Sequence, residues 1–365
     1  MKRIIYLIVI AALFASCSSE PHYVIKGKIE GSDGVKFLLM KKEAGIYLTI
    51  DSAISKKGNF KMKGTIEYPD LVHLIAGNSG NRTSFYIENS RISITGKLDS
   101  LFNAKITGSK IQDEYSYIIA SNKPLNEKYS DLYLQYQNAS QLRDTATTAR
   151  LQKEIESVLK ERIELQKDFI RNNPASYLAP TLLYDLTIDM EAEEVETAIN
   201  AMDSNVAKIP LVKEMKDKVS RMKAVSIGQK APDFTLNDVK GNPVALSSMT
   251  GSKILLIDFW AAWCNPCRLE NPNIVKLYNE FHKKGFDVLG VSLDDNKEAW
   301  IKAIATDKLS WTQVTDLEQY EGSVAKLYSV DAIPSNFLVD ETGTIIARNI
   351  RGKDLYNKVI EVLGK

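Results

Sequence analysis

The most constraining stretch of this chain is residues 253–267. Lys253–Phe259 is an almost continuous apolar run, the pattern of a strand buried on both faces. It leads within a few residues into Trp263-Cys264-Asn265-Pro266-Cys267, and Cys264–Lys284 reads as a long helix. A cysteine at a helix N-terminus feels the positive end of the helix dipole and free backbone N–H groups. Both favour its thiolate, so its pKa should fall below the free value of about 8.5. Cys267 lies one turn on, near enough to close a disulfide but pointing inward. Pro266 suits the first turn, where a missing N–H costs nothing. Other uses of two cysteines fit less well. A zinc site needs about four ligands, and no second histidine follows His282 to complete one. Haem attachment needs histidine directly after the second cysteine, where this chain has Arg268. A static disulfide closing so short a loop gains little from chain entropy. Redox chemistry is the reading the spacing favours.

The elements around this segment alternate. Phe234–Leu236 and Pro243–Leu246 read as a leading hairpin, Phe286–Leu293 as a second buried strand, and Glu298–Thr306 and Tyr320–Tyr328 as helices. Asn336–Asp340 and Thr344–Arg348 read as a hairpin, and Lys353–Leu363 as a closing helix. That order predicts a mixed sheet with helices on both faces over residues 225–365. Residues 22–110 differ. Eight short alternating runs, from Tyr23–Ile29 to Ala104–Thr107, are separated by turns such as Gly31-Ser32-Asp33-Gly34 and predict an antiparallel sandwich or barrel. His73 sits there in an apolar strand without ligating neighbours and is expected to be structural. Residues 111–224 change again. Glycine is absent from Gln112 to Ile227, and Leu151, Ile155, Val158, Arg162, Leu165 and Phe169 follow helical spacing. Tyr129, Leu132, Tyr133, Leu134 and Tyr136 are expected in a core. This region reads as a helical linker without chemistry of its own, and helices with two apolar faces would suit a homodimer interface. The fold class is therefore multi-domain α+β.

Residues 227–365 resemble a thioredoxin-like domain of the TlpA/ResA type. Gly228-Gln229-Lys230-Ala231-Pro232-Asp233-Phe234 is the opening motif shared with peroxiredoxins, and Leu255 to Cys267 matches across thirteen residues. Pro272 matches the proline that kinks the active-site helix, and Asp294–Ser310 the helical insertion of this subfamily. The resemblance implies a thiol–disulfide oxidoreductase in which Cys264 attacks and Cys267 resolves. It implies a cis bond at Ile333-Pro334, with Trp260, Trp263, Ile333 and Pro334 facing substrate. It also implies a buried proton-transferring acid at Asp258. Strand alternation agrees, since Leu256, Asp258 and Trp260 share a face, and burial would raise the pKa of that acid. In ResA-like members an acid at the spacing of Glu270 lines the active-site cavity; as an ordinary helix residue it would be solvated. No metal or organic cofactor is required. The partners implied are protein disulfide substrates in the cell envelope and an upstream thiol donor. The β-rich region resembles the domain that precedes thioredoxin-like domains in Bacteroidota lipoproteins.

The N-terminus reads as an address. Lys2 and Arg3 precede the apolar run Ile4–Phe14, which is too short to span a bilayer but fits a signal-peptide core. Leu13-Phe14-Ala15-Ser16-Cys17 resembles a bacterial lipobox, although Phe14 departs from the usual aliphatic residue. A signal peptide over 1–16, lipidation at Cys17 and a tether over 17–21 are expected, placing the protein on the membrane and facing the periplasm. Lys plus Arg is 47 against 46 for Asp plus Glu, a formal charge of +1, which gives no electrostatic reason to expect nucleic acid. Two other functions stay open: a thiol peroxidase, and a ligand-binding lipoprotein with an inert disulfide.

Overall fold

The structure, a computed structural model, describes residues 21–43, 46–77, 80–249 and 252–364. The expected signal segment and Cys17 lie outside the described residues. Two compact units divide at Arg162/Ile163, inside one helix.

The first unit opens with β1 (Tyr23–Glu30), β2 (Lys36–Glu43), β3 (Ile46–Ile54), β4 (Asn59–Gly64), β5 (Asp70–Ala76), β6 (Arg82–Ile87), β7 (Arg91–Lys97) and β8 (Lys105–Thr107). Among the described residues these form two four-stranded sheets, ordered β4-β1-β7-β8 and β3-β2-β5-β6. Buried residues alternate along β1, β4, β5 and β7, whereas β3 is exposed or half-buried throughout, and Ile25, Phe37, Leu39, Leu74, Phe85 and Ile94 fill a common core. Gly27 is required there, because a Cβ would fall 2.0 Å from the Phe60 ring. The pairing is antiparallel except between β1 and β7, which run parallel; an alternating pattern does not reveal strand direction. His73 bonds Ser84 through Nδ1 at 2.7 Å.

α1 (Lys110–Gln141) and the first part of α2 (Thr145–Asn172) complete this unit. Leu132 and Ala139 pack with Leu151 and Val158, supported by Tyr129 and Tyr136. Tyr133 and Leu134, expected in a core, are exposed. Tyr133 flanks the seam, stacked on Tyr129 and Tyr136, and Leu134 faces away from it, because three consecutive residues span too wide an arc for one helix face.

The second unit takes the rest of α2, then α3 (Ala179–Leu186), α4 (Ala192–Asn200) and α5 (Pro210–Ala224). The alternating part follows: β9 (Thr235–Asp238), β10 (Pro243–Ala245), β11 (Ile254–Trp260), α6 (Asn265–Phe281), β12 (Phe286–Ser292), α7 (Lys297–Asp307), β13 (Thr312–Thr315), α8 (Ser323–Leu327), β14 (Ser335–Asp340), β15 (Ile345–Arg348) and α9 (Gly352–Leu363). The sheet is ordered β10-β9-β13-β12-β11-β14-β15, with β11, β12 and β13 parallel and the remaining pairs antiparallel. β11 lies inside this sheet and is buried at every residue. Its Ile254, Leu256 and Trp260 face one core with α6 and α9, while Leu255, Ile257 and Phe259 face another.

Candidate active site

Asp258 follows the alternation of β11 and lies on the side of Leu256 and Trp260, the core that also contains Cys264 and Cys267. The chain then leaves the sheet and turns, with the Cys264 N–H donating to the Ala261 carbonyl at 3.1 Å. Cys264 is the N-cap of α6 and Pro266 stands in its first turn. The Cys267 backbone N–H points at Cys264 Sγ, 3.1 Å away. Cys264 and Cys267 are joined as a disulfide, with Cα atoms 5.3 Å apart, and both are buried. Once reduced, Cys264 keeps one backbone donor and the helix dipole to hold its thiolate.

Asp258 is 4% exposed. Burial chiefly, with the Glu270 carboxylate, pushes its pKa up to about 7, Arg351 offsetting part of the rise. An acid with that pKa exchanges its proton at neutral pH, as a general base must. Glu270 is not a free helix residue. Its Oε1 accepts the Gly352 N–H at 2.7 Å, at the start of α9, and its Oε2 accepts from Asn273 at 2.9 Å. A carboxylate there complements the α9 dipole and also places negative charge near Asp258.

The loop between β11 and α6 is pinned from below. Asp294 accepts the Ala262 N–H at 2.9 Å, and Arg268 donates to the Ala262 carbonyl at 3.1 Å. Arg268 also pairs with Asp307 at the end of α7, and Asn271 donates to the same carboxylate at 2.7 Å. The Ile333–Pro334 bond is cis. Ile333 packs against the core that contains the cysteines, and the Pro334 carbonyl accepts from Arg351.

The structure thus gathers Asp258, Cys264, Cys267, Glu270 and Ile333 around one core. Trp263 is 51% exposed, its ring 6.3 Å from that of Tyr320. Trp260 departs from the expectation that it faces substrate. It is 1% exposed and its indole N–H donates to Gln313 at 2.9 Å, so it is part of the core. Arg268, Asp294, Asp307 and Arg351 were not among the expected site residues. Asp294 carried a signal, an acid directly after a buried strand; Arg351 carried none.

Residues 227–348 match the AhpC/TSA family, and residues 23–115 match a domain of unknown function, DUF4369. The thiol-disulfide oxidoreductase ResA of Bacillus cereus is 29% identical over 146 residues, 40% of this chain and 82% of that protein. ResA of Geobacillus kaustophilus is 34% identical over 122 residues, 33% of this chain and 68% of that protein. This chain belongs to the ResA-like thiol-disulfide oxidoreductases. The thioredoxin domain of a thiol-disulfide oxidoreductase from Bacteroides vulgatus is 42% identical, covering 38% of this chain and 99% of that one at a TM-score of 0.36. One from Bacteroides fragilis is 40% identical, covering 36% and 98% at 0.35. The family assignment rests on the ResA sequences. As a ResA-like protein, the chain is a thiol-disulfide oxidoreductase with a thioredoxin-like domain.

Proposed function

We propose that this oxidoreductase is a lipid-anchored, periplasm-facing disulfide reductase working through Cys264 and Cys267. The reduced enzyme begins with Cys264 as thiolate. Its sulfur attacks one sulfur of a substrate disulfide, and the other leaves as a thiolate that takes a proton from solvent. Asp258 then accepts the Cys267 proton. Cys267 attacks Cys264 Sγ, the second substrate sulfur leaves, and the enzyme disulfide forms. The substrate has gained two electrons, and an upstream thiol donor returns them to the enzyme by the reverse exchange. Trp263, Ile333 and Pro334 are the residues proposed to meet the substrate, and Glu270 is proposed to tune Asp258.

The observation that carries this reading is a buried acid with a pKa of about 7 on the cysteine side of β11. An inert structural disulfide has no use for one. We read the direction as reductive from the groups placed at Cys264 Sγ, the Cys267 N–H and the start of α6. Strong oxidants stabilise their reduced form heavily, whereas here Arg268 is tied to Asp307 and Arg351 to the Pro334 carbonyl. The location rests on the basic start, the apolar run and Cys17; a Cys17→Ala protein should be released from membranes or stay unprocessed.

The test is the reduction potential of the Cys264/Cys267 pair, set beside turnover with a polypeptide disulfide such as insulin. A reductase should show roughly −200 to −300 mV with turnover. A value near −120 mV would make it an oxidant, and one below about −300 mV without exchange would make the disulfide inert. Rapid hydrogen peroxide consumption would instead favour a peroxidase.

A further inference from the structure

The helical segment before the thioredoxin-like body carries a residue that breaks its own pattern. Along α5 the buried positions are Val212, Met215, Lys218, Val219 and Met222. Four are apolar, and the fifth is a lysine with a side chain only 6% exposed. Lysine is almost never buried without a partner, because desolvating its ammonium is expensive. Its partners are not on its own helix. Nζ lies 2.7 Å from Asp331 Oδ2, donates to Thr187 Oγ1 at 2.5 Å, and sits 4.9 Å from the centre of the Tyr184 ring. Thr187 and Tyr184 belong to α3 and its C-cap, but Asp331 stands two residues before Ile333.

The segment from Asp331 to Asn336 is therefore held at successive points. Lys218 takes Asp331, Arg351 takes the Pro334 carbonyl, and Asn349 accepts from the Ser335 hydroxyl at 2.8 Å. Ile333 lies between the first two and packs on the core containing the disulfide. A cleft of about 280 Å³ runs beside this segment, lined by Thr187, Met222, Asp331, Pro334, Arg348 and Arg351. One wall comes from the helices and the other from the thioredoxin-like body.

We propose that Lys218 is a positioning residue for the disulfide-exchange site, fixing the Asp331–Pro334 segment so that an extended polypeptide can lie along it. The helical segment then forms part of the substrate site for protein disulfides and is not a passive linker. This rests on the exchange reaction proposed above. A small disulfide needs only the Cys264 sulfur, whereas a polypeptide also needs the segment held in place, so the two substrates separate the roles.

The experiment uses the full chain with Lys218→Met, Asp331→Asn and the double variant. Each is assayed with insulin and with the small aromatic disulfide 5,5′-dithiobis(2-nitrobenzoate). Lys218→Met should raise KM for insulin about tenfold, the scale of one lost charge-assisted contact, with kcat and the small-disulfide rate nearly unchanged. Asp331 is 42% exposed, so Asp331→Asn keeps the test alive if Lys218→Met does not fold, and it should raise KM similarly. The double variant should be no worse than the single ones, as for two halves of one contact. An unchanged KM for insulin in folded Asp331→Asn would overturn the proposal, as would additive effects or an equal loss with both disulfides. A wild-type chain that exchanges with neither probe would instead overturn the reductase reading, and this inference with it.

Discussion

Lys218 on α5 and Asp258 on β11 are each an ionisable side chain on an otherwise apolar face, but their surroundings treat them oppositely. Lys218 meets a carboxylate, a hydroxyl and an aromatic ring. Asp258 meets burial and the like charge of Glu270, only partly offset by Arg351, and its pKa rises to about 7. A buried charge that is compensated becomes a fixed connection between elements. One that is undercompensated becomes a group that gains and loses a proton. The same departure from the apolar pattern thus yields a positioning device in one region and a proton carrier in the other.

Asp258→Asn should give the largest effect. The folded pKa of Asp258 lies above its unfolded value of 3.8. Its contribution to stability is therefore complete below about pH 4 and is lost as pH rises through 7. The asparagine variant should be more stable than wild type at pH 8, by up to about 4 kcal/mol, with the gap closing toward pH 4. Urea unfolding of the oxidised protein across that range measures it. The same variant should slow resolution by Cys267 and flatten its rise near pH 7, with initial attack by Cys264 little changed; stopped-flow kinetics separate the two steps.

Lys218→Met should have a smaller effect of opposite sign, a loss of about 1–2 kcal/mol, since half-exposed Asp331 can return to water. Urea unfolding at pH 7 reads this directly. A larger loss would mean that Lys218 matters mainly to packing and would weaken the contrast. Glu270→Gln should be the mildest. Glutamine can still accept the Gly352 N–H, so the loss is mainly the charge at the start of α9, about 0.5 kcal/mol. Removing that charge should move the pH midpoint of resolution below that of wild type, and an unmoved midpoint would leave burial alone to explain Asp258.

Much of this was legible in the sequence wherever a pattern is local. The strands from Tyr23 to Thr107 and the helix beginning at the cysteine pair follow periodicity, and Asp258 follows from alternation. β13 escaped because Thr312-Gln313-Val314-Thr315 is short and three of its four residues are polar; it is set in place by pairing with β9 and β12 on either side. Alternation puts Trp260 on the face of Leu256 and Asp258, and the substrate role came only from the resemblance; Gln313, which receives its indole N–H, lies 53 residues away and no local pattern marks it. The Arg268–Asp307 pair joins positions 39 residues apart, and no local pattern marks such a contact. Lys218 was not singled out, being one of several lysines along α5. Nor was its partner, because Asp331 is reached only through the tertiary fold.

The proposed exchange depends most directly on the division of labour between the two cysteines. Reduced Cys264→Ser and Cys267→Ser proteins should be mixed with a polypeptide disulfide, and separately alkylated at neutral pH, with products mapped by mass spectrometry. Cys267→Ser should alkylate readily at Cys264 and accumulate mixed disulfides through it. Cys264→Ser should do neither. Trapped complexes through Cys267, with rapid alkylation of that residue in the Cys264→Ser protein, would contradict the account.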